Sequence, residues 1–592
     1  MDGESGGAGP ARLDGLRVRM HTVETVLLVL LLGAITGIAA RYLRAIPLPL
    51  IQIMLGAALS WPQQGLHIAF DPDLFLLLFI PPLLFADGWR IPKREFFSLH
   101  RPILRLALGL VLFTVLGLGY LIHWMIPTMP LTVAFALAAV VSPTDAVAVA
   151  AITRNLGMPA KTMHVLQGES LLNDASGLVA LKFAVAATVT GAFSWADAGQ
   201  EFLWVALGGL AVGAALGWAF AVGRESVTRR VGDVAATQMV LLLVLLPFAA
   251  YLVGERVGVS GILAAVAAGV ATNFADLRRG EFLAERMQTE GIWNMVEAAF
   301  NGAIFLLLGL QLPSIVGDTL AAAGDDWWRP AGHAVLITLA LLGLRWIWLT
   351  LGVRGSLWRA HERGAMAEKP SALLDLATTL AGIRGAVTLA GALSVPLVLQ
   401  GGTPFPARDQ LVFLATATIL LTLVIGSVGL PLVLRLLPPA GEPVALKEER
   451  WARVAACNAA ISHMASQLST TKDPVRQAQV QEAVGRLTQD YRKRIDMLEY
   501  PAAPTPEAQA EWPQAVRQRR ERYLLEMELR LSALHVERSA LYVERQHNRI
   551  NDESLRALVA ELDLSEISLR KRLVVARRAV GDMEDGQGPL QE

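Results

Sequence analysis

Residues 168–177 read GESLLNDASG. They place Glu169, Ser170, Asn173 and Asp174 inside a chain that otherwise looks like membrane helix. Of its 592 residues 54% are hydrophobic and only 18% are charged. The mean hydropathy is +0.45. Soluble globular domains rarely show such values, whereas polytopic membrane proteins do. A carboxylate at bilayer depth costs about 3 kcal/mol or more and by default marks an ion or proton path. On a helix, Ser170 and Asp174 are four residues apart and share a face. Asn173 sits beside Asp174, and Glu169 lies about one and a half turns earlier. A carboxylate, an amide and a hydroxyl are hard oxygen ligands, suited to a small cation such as Na+. The plainer alternative is a polar cluster that only holds helices together. The Asn-Asp pair with Glu and Ser nearby favours the ion site.

Composition excludes several other classes. There are 52 basic and 52 acidic residues, so no global basic field exists to attract nucleic acid. The single cysteine, Cys457, excludes an internal disulfide framework, and no Cys/His spacing suits zinc. The start of the chain is Gly-rich and polar, without the cleavage pattern of a secretory signal peptide.

A bilayer core of roughly 30 Å needs about 20 apolar residues per helix, which predicts about thirteen spans. Their expected centres are Leu31, Met54, Phe79, Leu112, Ala139, Ala180, Val212, Leu243, Ala265, Phe305, Leu339, Val387 and Leu420. The expected fold is an all-α polytopic membrane protein. A tail (1–22) leads into a transmembrane domain (23–438). After PPAGEP (Pro438–Pro443) the composition turns to Arg, Glu, Gln, Leu and Ala, which predicts a separate helical domain over 447–592. One set of loops is rich in Lys and Arg, as at Arg90, Lys93, Arg94, Arg101 and Arg105. The alternate loops carry only Arg256, Arg329 and Arg408. That asymmetry predicts an outside N-terminus and a cytoplasmic C-terminal domain. Arg12, Arg17 and Arg19 run against it, and a start at Met20 would remove the conflict.

Two other stretches carry polar groups at membrane depth. VVSPTDAVAVAAI (Val140–Ile152) contains Pro143, which cannot donate a backbone hydrogen bond and should break its helix. Carbonyls near Ser142–Thr144 would then face a cavity, and Asp145 would sit at the positive end of the second half-helix. A simple proline kink with a capping aspartate is the plainer alternative. LAGIRGAVTLAGALSVP (Leu380–Pro396) has Gly382, Gly385 and Gly391 for close packing or unwinding. Its Arg384 needs a partner, and Glu169 is the expected one. The alternative is that Arg384 snorkels to the membrane edge. The two interrupted segments are the fifth and the twelfth spans, corresponding positions if the seventh is a linker. This predicts inverted repeats.

Weaker signals complete the membrane region. Glu297 and Asn301 lie one turn apart in the tenth span. Lys182 lies deep in the sixth, and Arg345 reads as a cap near a helix end. Gly209, Gly213 and Gly217 form a stripe that reads as packing, or as a dimer face. In the C-terminal domain, Trp451–Leu468 and Gln518–Ile550 show helical spacing around a proline-marked linker, Pro501–Pro513. A helical bundle or coiled-coil dimer module is the plain reading, with regulation or ligand binding as the sharper one. No nucleotide-binding motif is visible there.

Four motifs now combine: PPLLFADGWR (Pro81–Arg90), SPTDAVAV (Ser142–Val149), GESLLNDASG and GIRGAVTLA (Gly382–Ala390). In order and spacing the chain resembles the electroneutral sodium/proton exchangers of the cation/proton antiporter superfamily, NhaP- and NHE-like, and in particular bacterial YjcE-like members. The resemblance implies a core domain that slides against a dimerisation domain, in a homodimer of the bacterial inner membrane. It implies that Asp174 binds cation and proton alternately. Asn173 resembles the Asn of electroneutral members. Thr144, Asp145 and Ser170 match positions that help ligate the cation. Glu169 and Arg384 match a structural ion pair. One departure stands out. Many relatives place an acid where this chain has Ala86, and here the acid is Asp87. A shift of one residue turns a helical side chain by about 100°, which leaves a third-span ligand open.

The expected function is exchange of a monovalent cation, Na+ first and Li+ also, for H+. Cation and proton would compete for Asp174 in an alternating-access, elevator-type cycle. The alternative is K+/H+ exchange. A gated channel lacks a selectivity-filter signature, and a membrane sensor lacks a phosphoacceptor motif. No cofactor, nucleic acid or protein partner is called for beyond the transported ions, lipid and a second copy of the chain, and no enzymatic activity is expected.

Overall fold

The computed structural model of the protein describes residues 27–40, 42, 46–61, 72–153, 156, 158–190, 195–231, 236–275, 283–323, 326, 328–362, 371–399, 403–437, 444–470, 474–499, 514–547 and 549–580. The tail 1–22 with Met20, the turn Pro438–Pro443 and the linker Pro501–Pro513 lie outside the described residues. The chain divides into two compact units, Met1–Pro439 and Ala440–Glu592.

The first unit is helical. Its helices are α1 (Leu27–Ala39), α2 (Leu48–Ser60), α3 (Pro72–Arg90), α4 (Lys93–Ser98), α5 (His100–Leu104) and α6 (Val111–Met125). A π-helical turn, Arg105–Leu110, joins α5 to α6. Then come α7 (Leu131–Val141), α8 (Ala146–Thr153), α9 (Ala160–Thr190), α10 (Trp195–Val231), α11 (Ala236–Val257) and α12 (Gly261–Ala275). The unit ends with α13 (Leu283–Ala323), α14 (Trp328–Glu362), α15 (Ala372–Leu380), α16 (Ala386–Leu393) and α17 (Arg408–Arg435). Each of the expected span centres falls in one of these helices. Among the described residues eight helical segments are long and apolar enough to cross a membrane, and α1, α2 and α12 are shorter apolar helices. The chain is a multi-pass membrane protein. Among the described residues the only β pairing is an isolated bridge between Val398 and Pro404.

Two sequence features decide how these helices pack. The first is the glycine stripe of α10. A Cβ on Gly213 would lie 2.0 Å from the Ala264 carbonyl oxygen, and one on Gly217 would lie 2.4 Å from that of Ala268. The stripe is therefore filled by α12 of the same chain. This corrects the alternative that it forms a dimer face: small residues let two neighbouring backbones touch within one protomer. The second is the pair of interrupted segments. Residues 142–145 separate α7 from α8, and residues 381–385 separate α15 from α16. Both breaks are buried within the unit, packed among α3, α9 and α17.

The second unit contains α18 (Val444–Thr470), α19 (Pro474–Glu499), α20 (Gln514–Gln546) and α21 (Asp552–Val580). Met497, Tyr523, Leu524, Met527, Leu573 and Ala576 form its buried apolar cluster, which draws on α19, α20 and α21. Cross-helix ion pairs flank that cluster. Arg538 meets Asp563 at 2.6 Å and Glu566 at 2.5 Å, and Arg577 meets Glu528 at 3.0 Å.

Candidate ion-binding site

The site is built where the two interrupted segments cross. In a continuous helix the Asp145 N–H would donate to the Val141 carbonyl. Here it donates to the Ile383 carbonyl of the other break at 2.7 Å. The Val141 carbonyl accepts instead from Arg384 Nε at 2.8 Å. The N–H groups of Val147 and Ala148 donate to Asp145 Oδ1 at 2.8 and 3.0 Å. The Ala146 N–H donates to Ser170 Oγ at 3.3 Å. Asp145 thus caps α8. The helical donors that Ser142, Pro143 and Thr144 carbonyls would otherwise receive are spent elsewhere. Gly385 makes the crossing possible, since a Cβ there would lie 1.9 Å from Asp145 Oδ2.

Helix α9 runs past this crossing. Asn173 Nδ2 donates to Thr144 Oγ1 at 2.9 Å, and Thr144 Oγ1 donates to Glu169 Oε1 at 3.4 Å. Asn173 Oδ1 is buried without a hydrogen-bond partner among the described residues. Asp174 is 6% exposed. A cavity of about 40 Å³ opens beside it, room for a small ion and a few waters. Asp174, Asp145, Thr144, Ser170, Asp87, Glu297 and Asn301 all line that cavity. Glu297 is held by Arg90 at 2.5 Å, and Arg90 also donates to Asn294 at 2.9 Å. Asp87, Asp145 and Asp174 have no basic partner among the described residues. Three carboxylates thus face a small buried space without a resident cation from the protein.

Asp87 lines the cavity despite the one-residue displacement of its motif. Ala86 is turned the other way, fully buried in a cluster with Phe85 and Trp293. The sequence shift is therefore a question of which side of α3 faces the site.

The expected Glu169–Arg384 ion pair is not formed. Glu169 pairs with Arg345 of α14, whose Nη1 and Nη2 both reach the carboxylate, the second at 2.9 Å. The two side chains are 1% and 2% exposed. Arg345 Nε also donates to the Thr378 carbonyl at 3.0 Å. Arg384 is 2% exposed, so it does not snorkel either. Its guanidinium serves the Val141 and Gly382 carbonyls, and its backbone N–H donates to Thr422 Oγ1 at 3.2 Å. The physical reason is the open carbonyl end of α7, which a cation satisfies as hydrogen-bond donor and as counter-charge. Arg345 was readable only as a helix cap because the C-terminal extent of α14, to Glu362, is not obvious in the sequence. Lys182 also finds a partner, Glu255, at 2.7 Å.

Residues 27–436 match the family model for the sodium/hydrogen exchanger transmembrane region. The chain belongs to the sodium/hydrogen exchanger family. The exchanger is 43% identical to the uncharacterized Na+/H+ exchanger YjcE of Escherichia coli (strain K12), over 93% of this chain and 99% of that one. It is 46% identical to the sodium, potassium, lithium and rubidium/H+ antiporter of Bacillus pumilus (strain SAFR-032), over 70% of this chain and 61% of that one. Its fold resembles the sodium proton antiporter MjNhaP1 from Methanocaldococcus jannaschii, with a TM-score of 0.55 and 19% identity. That likeness covers 71% of this exchanger and 99% of the other chain.

Proposed function

We propose that this exchanger swaps Na+, and with it Li+, for H+ by competition at Asp174. One observation carries the reading: Asp174 is buried beside a small cavity, next to a broken helix with spare carbonyls, and has no cationic partner. A bare carboxylate is disfavoured in such a place. A proton neutralises it, and so does a desolvated alkali ion. Thr144, Ser170, Asp145 and Asn173 supply or position further oxygen ligands, and Asp87 adds a second carboxylate. Asn301 and the Arg90-bound Glu297 complete the wall as helpers. Each neutral occupancy biases pre-existing inward and outward states, so passage is coupled to exchange without a separate device. The elevator movement, the homodimer, the bacterial inner membrane and a cytoplasmic second unit belong to the same proposal. The orientation rests on the Lys/Arg asymmetry of the loops.

K+/H+ exchange is the second reading. The Bacillus pumilus relative is named for sodium, potassium, lithium and rubidium, which favours a site of broad alkali acceptance over one tuned to a single radius.

The test is flux in liposomes carrying a trapped pH dye, with Na+, Li+ and K+ added in turn. A cation-dependent proton flux is expected that disappears in Asp174→Asn while the variant stays folded. Retained sodium-driven proton movement in Asp174→Asn would remove Asp174 from the mechanism.

A further inference from the structure

The second unit holds a cleft of its own, outside the proposed ion site. It lies between the last turns of α19 and the first turns of α20 and has a volume of about 550 Å³. That is the size of a small-molecule site. Arg492, Lys493, Arg519, Arg520 and Arg522 line it, against only two acids, Asp496 and Glu526. Both acids are already engaged. Asp496 meets Arg519 at 3.0 Å, and Glu526 meets Lys493 at 3.3 Å and Arg530 at 2.7 Å. Arg492 and Arg522 are exposed and have no acidic partner among the described residues.

This departs from the habit of the rest of the unit. Elsewhere most of its described arginines are paired, within a helix as in Arg453–Glu449 or across helices as in Arg538–Glu566, while Arg556 and Arg572 stand outside any such pair. Here the surplus is concentrated on two facing helices around one cavity. Buried side chains contribute to the cavity wall. Arg520 is 1% exposed and donates to the Met497 carbonyl at 3.1 Å, and Tyr523 is 8% exposed. Guanidinium forks match phosphoryl oxygens two at a time, and a compact polyanion meets several forks at once.

We infer that the cleft between α19 and α20 binds a small anion carrying one or more phosphoryl groups, gripped by Arg492 from one side and Arg522 from the other. The chemistry is shared by soluble polyphosphates and by phospholipid headgroups, so both are probed. Full-length protein in neutral detergent is titrated calorimetrically with pyrophosphate, with ATP and with water-soluble dihexanoyl phosphatidylglycerol, at constant ionic strength. At least one of these binds, and Arg492→Ala combined with Arg522→Ala weakens it by about tenfold or more. Lys571→Ala, exposed on α21 and outside the cleft, leaves it unchanged. Binding of pyrophosphate or ATP assigns a soluble ligand; binding of the lipid alone assigns a headgroup. Asp174→Asn binds like the parent, which separates this inference from the transport reading. Both arginines are exposed, so the double variant keeps the parent melting temperature. No binding of any probe, or binding indifferent to the double substitution, overturns the inference.

Discussion

Replacing Arg345 by Met leaves Glu169 as a buried carboxylate without its counter-charge. Both guanidinium nitrogens that reach Glu169 are lost together with the Nε donor to the Thr378 carbonyl. Both partners are nearly inaccessible, at 2% and 1% exposure, so water cannot take over. Breaking one side of such a pair costs about 3–5 kcal/mol. In a solubilised preparation this reads as a fall of roughly 3–6 °C in the apparent melting temperature, because so large a unit has a large unfolding entropy. Glu169→Gln on top of Arg345→Met removes the stranded charge and should restore about half of that loss or more, because an apolar and a neutral group now face each other. The cycle with Arg384→Met is the decisive comparison. Arg384 serves carbonyls, so its coupling to Glu169→Gln should be much smaller than that of Arg345. A melt in which Glu169 couples to Arg384 and is additive with Arg345 would refute the assignment.

Four glycine substitutions give sharper predictions. Gly385→Ala puts a methyl 1.9 Å from Asp145 Oδ2 and 2.7 Å from Asp145 Cβ, so it should abolish cation-driven proton flux. Gly391→Ala meets only Leu178, Leu181 and Val140 side-chain ends at 3.2–3.4 Å and should keep most of the flux in the same liposome assay. Gly213→Val drives the α10–α12 seam apart, since its Cβ would start 2.0 Å from the Ala264 oxygen, and should lower the melting temperature and the yield of folded protein. Gly223→Ala, on the same helix with nothing within 4 Å, should instead be neutral or stabilising by about 0.5–1 kcal/mol.

Much of this was legible in the sequence, and for identifiable reasons. Apolar runs announce spans because hydrocarbon leaves the backbone no partner but itself. Pro143 announces a break because it lacks an N–H. Asp174 with Ser170 announces a polar face because four residues are one turn. Partner choice was not legible. Arg345 and Arg384 are both lone arginines at membrane depth, and spacing along the chain says nothing about which one reaches Glu169. The glycine stripe of α10 reads as packing, but whether it packs within the chain or against a second protomer is open in the sequence because the approach of α12 is a tertiary fact. Asp87 is open in the sequence because an offset of one residue can be absorbed by rotating the whole helix, as the placing of Ala86 in the buried cluster with Phe85 and Trp293 shows here.

The corrected pairing explains more than the expected one. Had Arg384 been drawn to Glu169, the Val141 carbonyl would have lost its donor at the moment Asp145 N–H left it for Ile383. A buried carbonyl without a donor costs about 1–3 kcal/mol. With Arg345 on Glu169 and Arg384 on the end of α7, every fixed positive charge near the crossing is already committed. Among the described residues no cationic side chain is left to neutralise Asp174. On the proposed reading its counter-charge comes from outside, as a proton or as an alkali ion. That is the condition a carboxylate needs if it is to trade one for the other.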